Sequence, residues 1–200
     1  MFGAALLLVL VVSIIIRFST RPPIEIAFWF EPITEEVRMS ASERISGGIT
    51  AQDMAVIEST ATNEVVRAFE GLPVFLSADR HETYRVRVLS RLQRGASGAS
   101  HVIVGLGGQG YVNFQLHAHG AVTYARSDAS RDEIIVGIGR GIGRAAVHEF
   151  AHQLLGPARI DDSEDVQSYE YDSATRPEQY YGPAHWGIAA PMLRKRFALD

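Results

Sequence analysis

The sequence predicts an α/β (α+β) domain in which a twisted mixed sheet with an antiparallel edge strand packs on a long helix and a second, motif-bearing helix. Three observations predict it. Ile24-Glu25-Ile26-Ala27-Phe28-Trp29-Phe30 is an apolar, aromatic-rich strand that precedes a capped helix beginning after Thr50. Tyr84-Arg85-Val86-Arg87-Val88-Leu89 alternates as a half-buried strand does. Finally, Ile142 to Leu155 is an apolar helical run containing His148-Glu149-Phe150-Ala151-His152, and Gly156-Pro157 stops it. Strands and helices that alternate in this way form layers around one core.

At 200 residues the chain is long enough for a real core, and 46% hydrophobic with 21% charged residues is a globular composition. A net charge of −4 leaves no electrostatic footprint for nucleic acid. There is no cysteine, which removes disulfides, thiolate ligands and thiol nucleophiles together.

The organisation expected is an anchor and linker over residues 1–22 and a catalytic domain over 23–200. Phe2 to Ile16 is uncharged and almost wholly apolar, and Arg17 ends it. No basic residue precedes it and no small-x-small cleavage site follows, so it reads as an uncleaved transmembrane anchor rather than a signal peptide. A membrane-anchored protein with an extracytoplasmic domain is the corresponding expectation. Pro22-Pro23 then interrupts any helix.

In chain order, residues 33–48 read as a loop with one helical turn. Thr50 with Asp53 forms an N-cap for a helix whose apolar positions are Met54, Ile57, Val65, Val66 and Phe69, closed by Gly71-Leu72-Pro73. Residues 94–100 are a small-residue turn, and His101 to Val104 a short buried strand. Gly105-Leu106-Gly107-Gly108-Gln109-Gly110 fits the dinucleotide fingerprint in letters. Residues 111–120 read as a strand, however, whereas the fingerprint needs a helix there, so Asp128 and Asp132 are not ribose ligands. These glycines are expected to form a flexible loop leading into an edge strand. On that strand His117 and His119 share a face, either as a solvated pair or as a second ligand pair. Residues 132–138 read as a buried strand, with Gly139 and Gly141 leading into the helix.

The chemistry is concentrated at residues 148–152. Residues four apart on a helix share a face, so His148 and His152 can present two imidazole nitrogens to one metal ion. Glu149 stands beside them, able to take a proton from a metal-activated water. A catalytic zinc site needs a third protein ligand and one open position. Asp161 and Asp162 follow the helix closely, with Glu170 and His185 further on; Asp161 is the first choice. Tyr169, Tyr171, Tyr180, Tyr181 and His185 are candidate hydrogen-bond donors to an oxyanion.

On this motif the chain resembles the zincin metallopeptidases, and in element order a small metzincin-type catalytic domain. The resemblance implies a sheet backing two helices and an edge strand that pairs with an extended substrate. It implies His148 and His152 as zinc ligands and Glu149 as general base. Glu170, 18 residues after His152, is near the spacing of the glutamate ligand in thermolysin-like zincins. The chain departs from the longer metzincin motif: Gly156 is displaced by one position, Ala158 stands at the third-ligand position, and Met192 is too distant for a Met-turn. The activity expected is that of a zinc-dependent hydrolase, a metallopeptidase acting on a peptide or protein. The alternatives are a zinc-fold scaffold protein and a zinc amidase with a non-peptide substrate.

Overall fold

A computed structural model describes residues 22–40, 45–93, 96–103, 107–156, 160, 163–171 and 174–199. Strand β1 (Ile24–Phe30) leads through a short helix α1 (Glu35–Met39) to helix α2 (Ala51–Ala68). Strands β2 (Val74–Ser77), β3 (Tyr84–Leu89), β4 (Gly98–Ile103) and β5 (Gly107–Asn113) follow, then helices α3 (Phe114–Tyr124) and α4 (Arg131–Leu155). A 3-10 turn at Pro177–Gln179 and helix α5 (Ala189–Phe197) complete the described chain. The five strands make one sheet in the order β2-β1-β3-β5-β4. All neighbours are parallel except β4, which runs antiparallel to β5 at the edge. The mixed α/β class is therefore as expected at this level.

Local chemistry sets the two long helices. At the start of α2 the Asp53 N–H donates to Thr50 Oγ1 (3.1 Å) and the Thr50 N–H to Asp53 Oδ2 (2.7 Å). The same reciprocal cap starts α4, with Glu133 N–H to Ser130 Oγ (3.2 Å) and Ser130 N–H to Glu133 Oε2 (2.7 Å). Arg131 joins the two helix starts through a 2.6 Å ion pair to Asp53. Ile57, Ala61 and Val65 of α2 and Ile138, Ile142, Ala146 and Phe150 of α4 are all fully buried, so both helices lie in the core and α4 spans it.

Helix α4 corrects the expected strand at 132–138: residues 131–155 are one helix. Gly139 and Gly143, four apart, face α2. A Cβ at Gly139 would lie 2.6 Å from Thr60 Cβ, and one at Gly143 would lie 2.7 Å from the Ala61 carbonyl oxygen. These glycines let the helix backbones approach, and that packing outweighs their poor helix propensity. A second correction concerns residues 111–125. Their alternation ends at Asn113, whose side chain accepts from the Leu116 N–H (3.3 Å) and caps α3. The edge strand is instead β4, in which His101 is exposed rather than buried. Strand β2 was not anticipated, and Val66 faces solvent at 53% exposure.

The expected membrane anchoring is also corrected. Among the described residues no helix is long and apolar enough to cross a membrane. Residues 2–16, where the anchor was expected, lie outside the described residues.

Candidate functional site

The last two turns of α4 carry His148, Glu149 and His152. Phe150, Ala151 and Leu154 on the same turns are buried in the core, and His148 and Glu149 are buried beside them. The two imidazoles stand edge to face, with centroids 4.7 Å apart and Nε2 atoms 3.1 Å apart. His148 Nδ1 lies 3.0 Å from the Tyr169 carbonyl oxygen. A carbonyl only accepts, so Nδ1 carries the proton and Nε2 is left with a lone pair. Two nitrogens bound tetrahedrally at zinc distances are about 3.3 Å apart. The 3.1 Å separation in the structure is close to that value.

Glu149 is 5% exposed and sits beneath the edge strand. A Cβ at Gly98, the first residue of β4, would fall 2.2 Å from Glu149 Oε1, so the carboxylate occupies the volume that a side chain would take. Ser100 Oγ donates to the Glu149 carbonyl oxygen at 3.2 Å and joins β4 to the motif turn. One turn further, Gln153 locks the helix to the sheet. Its Oε1 accepts from the Arg85 N–H (3.0 Å) and its Nε2 donates to the Arg85 carbonyl (3.1 Å). Gly108 and Gly110 of β5 leave room for that side chain. Gly107, Gly108 and Gly110 of the glycine run thus lie in a strand, and among the described residues no glycine turn opens a helix there.

Glu170 is fully buried, and both its oxygens share the single backbone N–H of Gly187 (3.0 Å), with Oε1 also accepting that of Ala189 (2.6 Å). It holds the start of α5. His185 keeps its backbone near the motif, since the Tyr169 N–H donates to its carbonyl (3.0 Å). Its ring is paired at 2.7 Å with Asp165 in an exposed position. Asp161 and Asp162 lie outside the described residues. Among the described residues no group of three or more His, Asp or Glu could hold a metal. The expected complete zinc-binding group is corrected accordingly: the described residues contribute the His148–His152 pair.

Three candidate oxyanion donors are engaged elsewhere. The Tyr169 hydroxyl donates to Glu64 (3.3 Å), with burial pushing its pKa up to about 12. Those of Tyr180 and Tyr181 donate to the carbonyls of Ala174 (2.7 Å) and Ala121 (2.6 Å). Tyr171 lines the cavity beside Glu149, its ring stacked on Arg176 at 4.3 Å.

Several residues that build the site carry no motif signal. Arg144, one turn before His148, is 3% exposed; its Nε donates to Glu64 (3.1 Å), and its other nitrogens to the carbonyls of Glu178 and of Gly182 (2.7 Å). This network joins α2, α4 and the segment that bears Tyr169. His117, expected on a strand, lies on α3 and lines the same cavity as His148 and Glu149. Only the place of Gln153, four residues after Glu149 and so on the same helix face, hinted at its role. Comparison with family models, with curated proteins and with solved structures gives no match.

Proposed function

We propose that the chain is a zinc-dependent hydrolase of the zincin kind, a metallopeptidase that cleaves a peptide or protein substrate. The observation that carries this reading is the 3.1 Å convergence of His148 Nε2 and His152 Nε2, with the Glu149 carboxylate held beside them under an antiparallel edge strand. His148 and His152 would hold the ion, with Asp161 as the candidate third ligand. Zinc in such a site polarises a carbonyl and brings the pKa of a bound water toward about 7.

The chain's own residues supply the rest. The Tyr169 carbonyl keeps His148 in the tautomer that offers Nε2. Gln153 fixes the helix against β3, so the position of Glu149 relative to the sheet edge is set before substrate arrives. Glu149 accepts a proton from the attacking water as its oxygen adds to the carbonyl carbon. It returns that proton to the amine nitrogen as the C–N bond breaks, which yields an acid and an amine.

The test is zinc content and peptide cleavage by the full chain and its Glu149→Gln variant. Both proteins are expected to bind one zinc, and the variant to lose at least about 100-fold in kcat/KM. Stoichiometric zinc with no cleavage of a broad peptide library by the wild type overturns the peptidase reading. Cleavage that survives Glu149→Gln overturns the assigned base.

A further inference from the structure

The cavity beside Glu149 has a second end that the hydrolytic machinery does not use. It extends along α4 past Arg144 to His117 on α3, with Ser97 and Gly98 as one wall. His117 is 0% exposed, and both its ring nitrogens are buried with no hydrogen-bond partner among the described residues. Such a group is rare in a native fold and calls for an occupant.

The polar neighbours of His117 are already committed. The Tyr180 ring stands edge-on to the imidazole at 6.1 Å, and its hydroxyl donates to Ala174. Gln179 Nε2 donates to the Gly141 carbonyl (2.9 Å). The Arg144 guanidinium is divided between Glu64 and two carbonyls, so it provides no spare cation for a carboxylate. Burial pushes the His117 pKa down to about 4, against a smaller upward pull from the Ser97 backbone. The imidazole is therefore neutral near pH 7 and can present either an N–H or a lone pair.

We propose that His117 is a specificity-determining residue, forming the floor of a subsite beside Glu149 that accepts the hydroxyl of a serine side chain next to the bond to be cleaved. The size fits, since the cavity has room for about 20 Å³, one water-sized polar group. The chemistry fits as well. A hydroxyl matches whichever tautomer the imidazole presents, an apolar group would leave the nitrogen unpaired, and a carboxylate would meet no free positive charge. Sites built around a buried polar group discriminate against analogues that lack the matching partner. The assignment rests on the peptidase reading, and the experiment separates the two.

Two peptide pools, randomised except for a fixed central serine or a fixed central alanine, are offered to the full chain with zinc. The serine pool is expected to be cleaved at least about tenfold faster, with the serine adjacent to the cut. His117→Phe is expected to bring the two pools within about twofold, while His117→Gln, which keeps a neutral donor and acceptor, preserves part of the preference. In parallel, ¹⁵N-histidine NMR of the Glu149→Gln protein follows the His117 ring nitrogens as each pool is added. A shift with the serine pool alone supports the subsite even where the wild type cleaves neither pool, and in that case it is the peptidase reading that fails. Cleavage of both pools at equal rates, or a His117 signal that responds to neither or equally to both, overturns the subsite and leaves the peptidase reading standing. If His117→Phe does not fold, His117→Gln and the NMR titration decide alone.

Discussion

Gly98 and Glu149 are in direct contact across the sheet–helix interface: a Cβ on Gly98 would lie 2.2 Å from Glu149 Oε1. The first residue of the edge strand and the proposed base therefore cannot both carry their full volume in place. Gly98→Ala is expected to displace the carboxylate rather than the histidines, because the atoms nearest the new Cβ are the Glu149 carboxylate and the Tyr111 carbonyl oxygen. A displacement of about 1 Å costs on the order of 100-fold in rate. The variant should lose about that factor in kcat/KM while zinc content stays at the wild-type value. Parallel loss of zinc would show that Gly98 supports the whole site and not the base alone.

How much of this was legible in the sequence depends on the range of the interaction concerned. Thr50-Ala51-Gln52-Asp53 and Tyr84 to Leu89 report local chemistry, a cap and an alternation, and both are in place. The motif at 148–152 is likewise local, and its two imidazoles do converge. Gly137, Gly139, Gly141 and Gly143 gave the opposite result. By propensity they break a helix, yet two of them face α2 and the backbones can approach only where a Cβ is missing, a fact about residues eighty positions away. The role of Gly108 and Gly110 was hidden for the same reason, since their partner is Gln153. Glu170 looked like a ligand from its spacing to His152, but its carboxylate is taken up by the N–H groups that open α5.

The helix–helix contact makes the sign of one substitution unusual. Alanine in place of glycine within a helix normally stabilises by about 1 kcal/mol. At Gly143 the new Cβ would meet Glu64 Cβ at 2.6 Å and the Ala61 carbonyl oxygen at 2.7 Å, one of them backbone that cannot swing away. Overpacking of this kind costs about 1 to 3 kcal/mol. Gly143→Ala is therefore expected to destabilise by about 1 kcal/mol net, read as a lower urea midpoint with an unchanged slope. A stabilised variant would refute the close packing of α2 on α4.

The Arg144–Glu64 pair, 3.1 Å apart with both side chains under 5% exposed, ties the motif helix to α2. Arg144→Met leaves the Glu64 carboxylate buried, with the half-exposed Arg67 as its remaining charge partner among the described residues. Removing one partner of such a pair costs about 3 to 5 kcal/mol, and the retained Arg67 contact places this case at the lower end. Arg144→Met combined with Glu64→Leu should recover part of that loss, because no buried charge is then left unpaired. Chemical denaturation of the two singles and the double in one cycle gives the coupling; strict additivity would mean that the pair contributes nothing.

Acid sensitivity should reveal the His117 environment independently of any substrate. Its pKa falls from an ordinary 6.5 to about 4 because burial disfavours the imidazolium. The unfolded chain therefore binds a proton at this residue between those values while the folded chain does not, so stability rises with pH across that window. The contribution is fully present above about 6.5 and is lost as pH falls toward 4. Between pH 7 and pH 5 the expected loss from this one group is about 2 kcal/mol. His117→Phe cannot take up that proton in either state, so the variant should lose about that much less stability over the same interval. The measurement is urea denaturation of metal-free wild type and variant at both pH values. The other titrating groups are common to the two proteins and cancel in the difference. Equal acid sensitivity in both would mean that the His117 ring is hydrated or already paired, and the floor assigned to the cavity would be wrong.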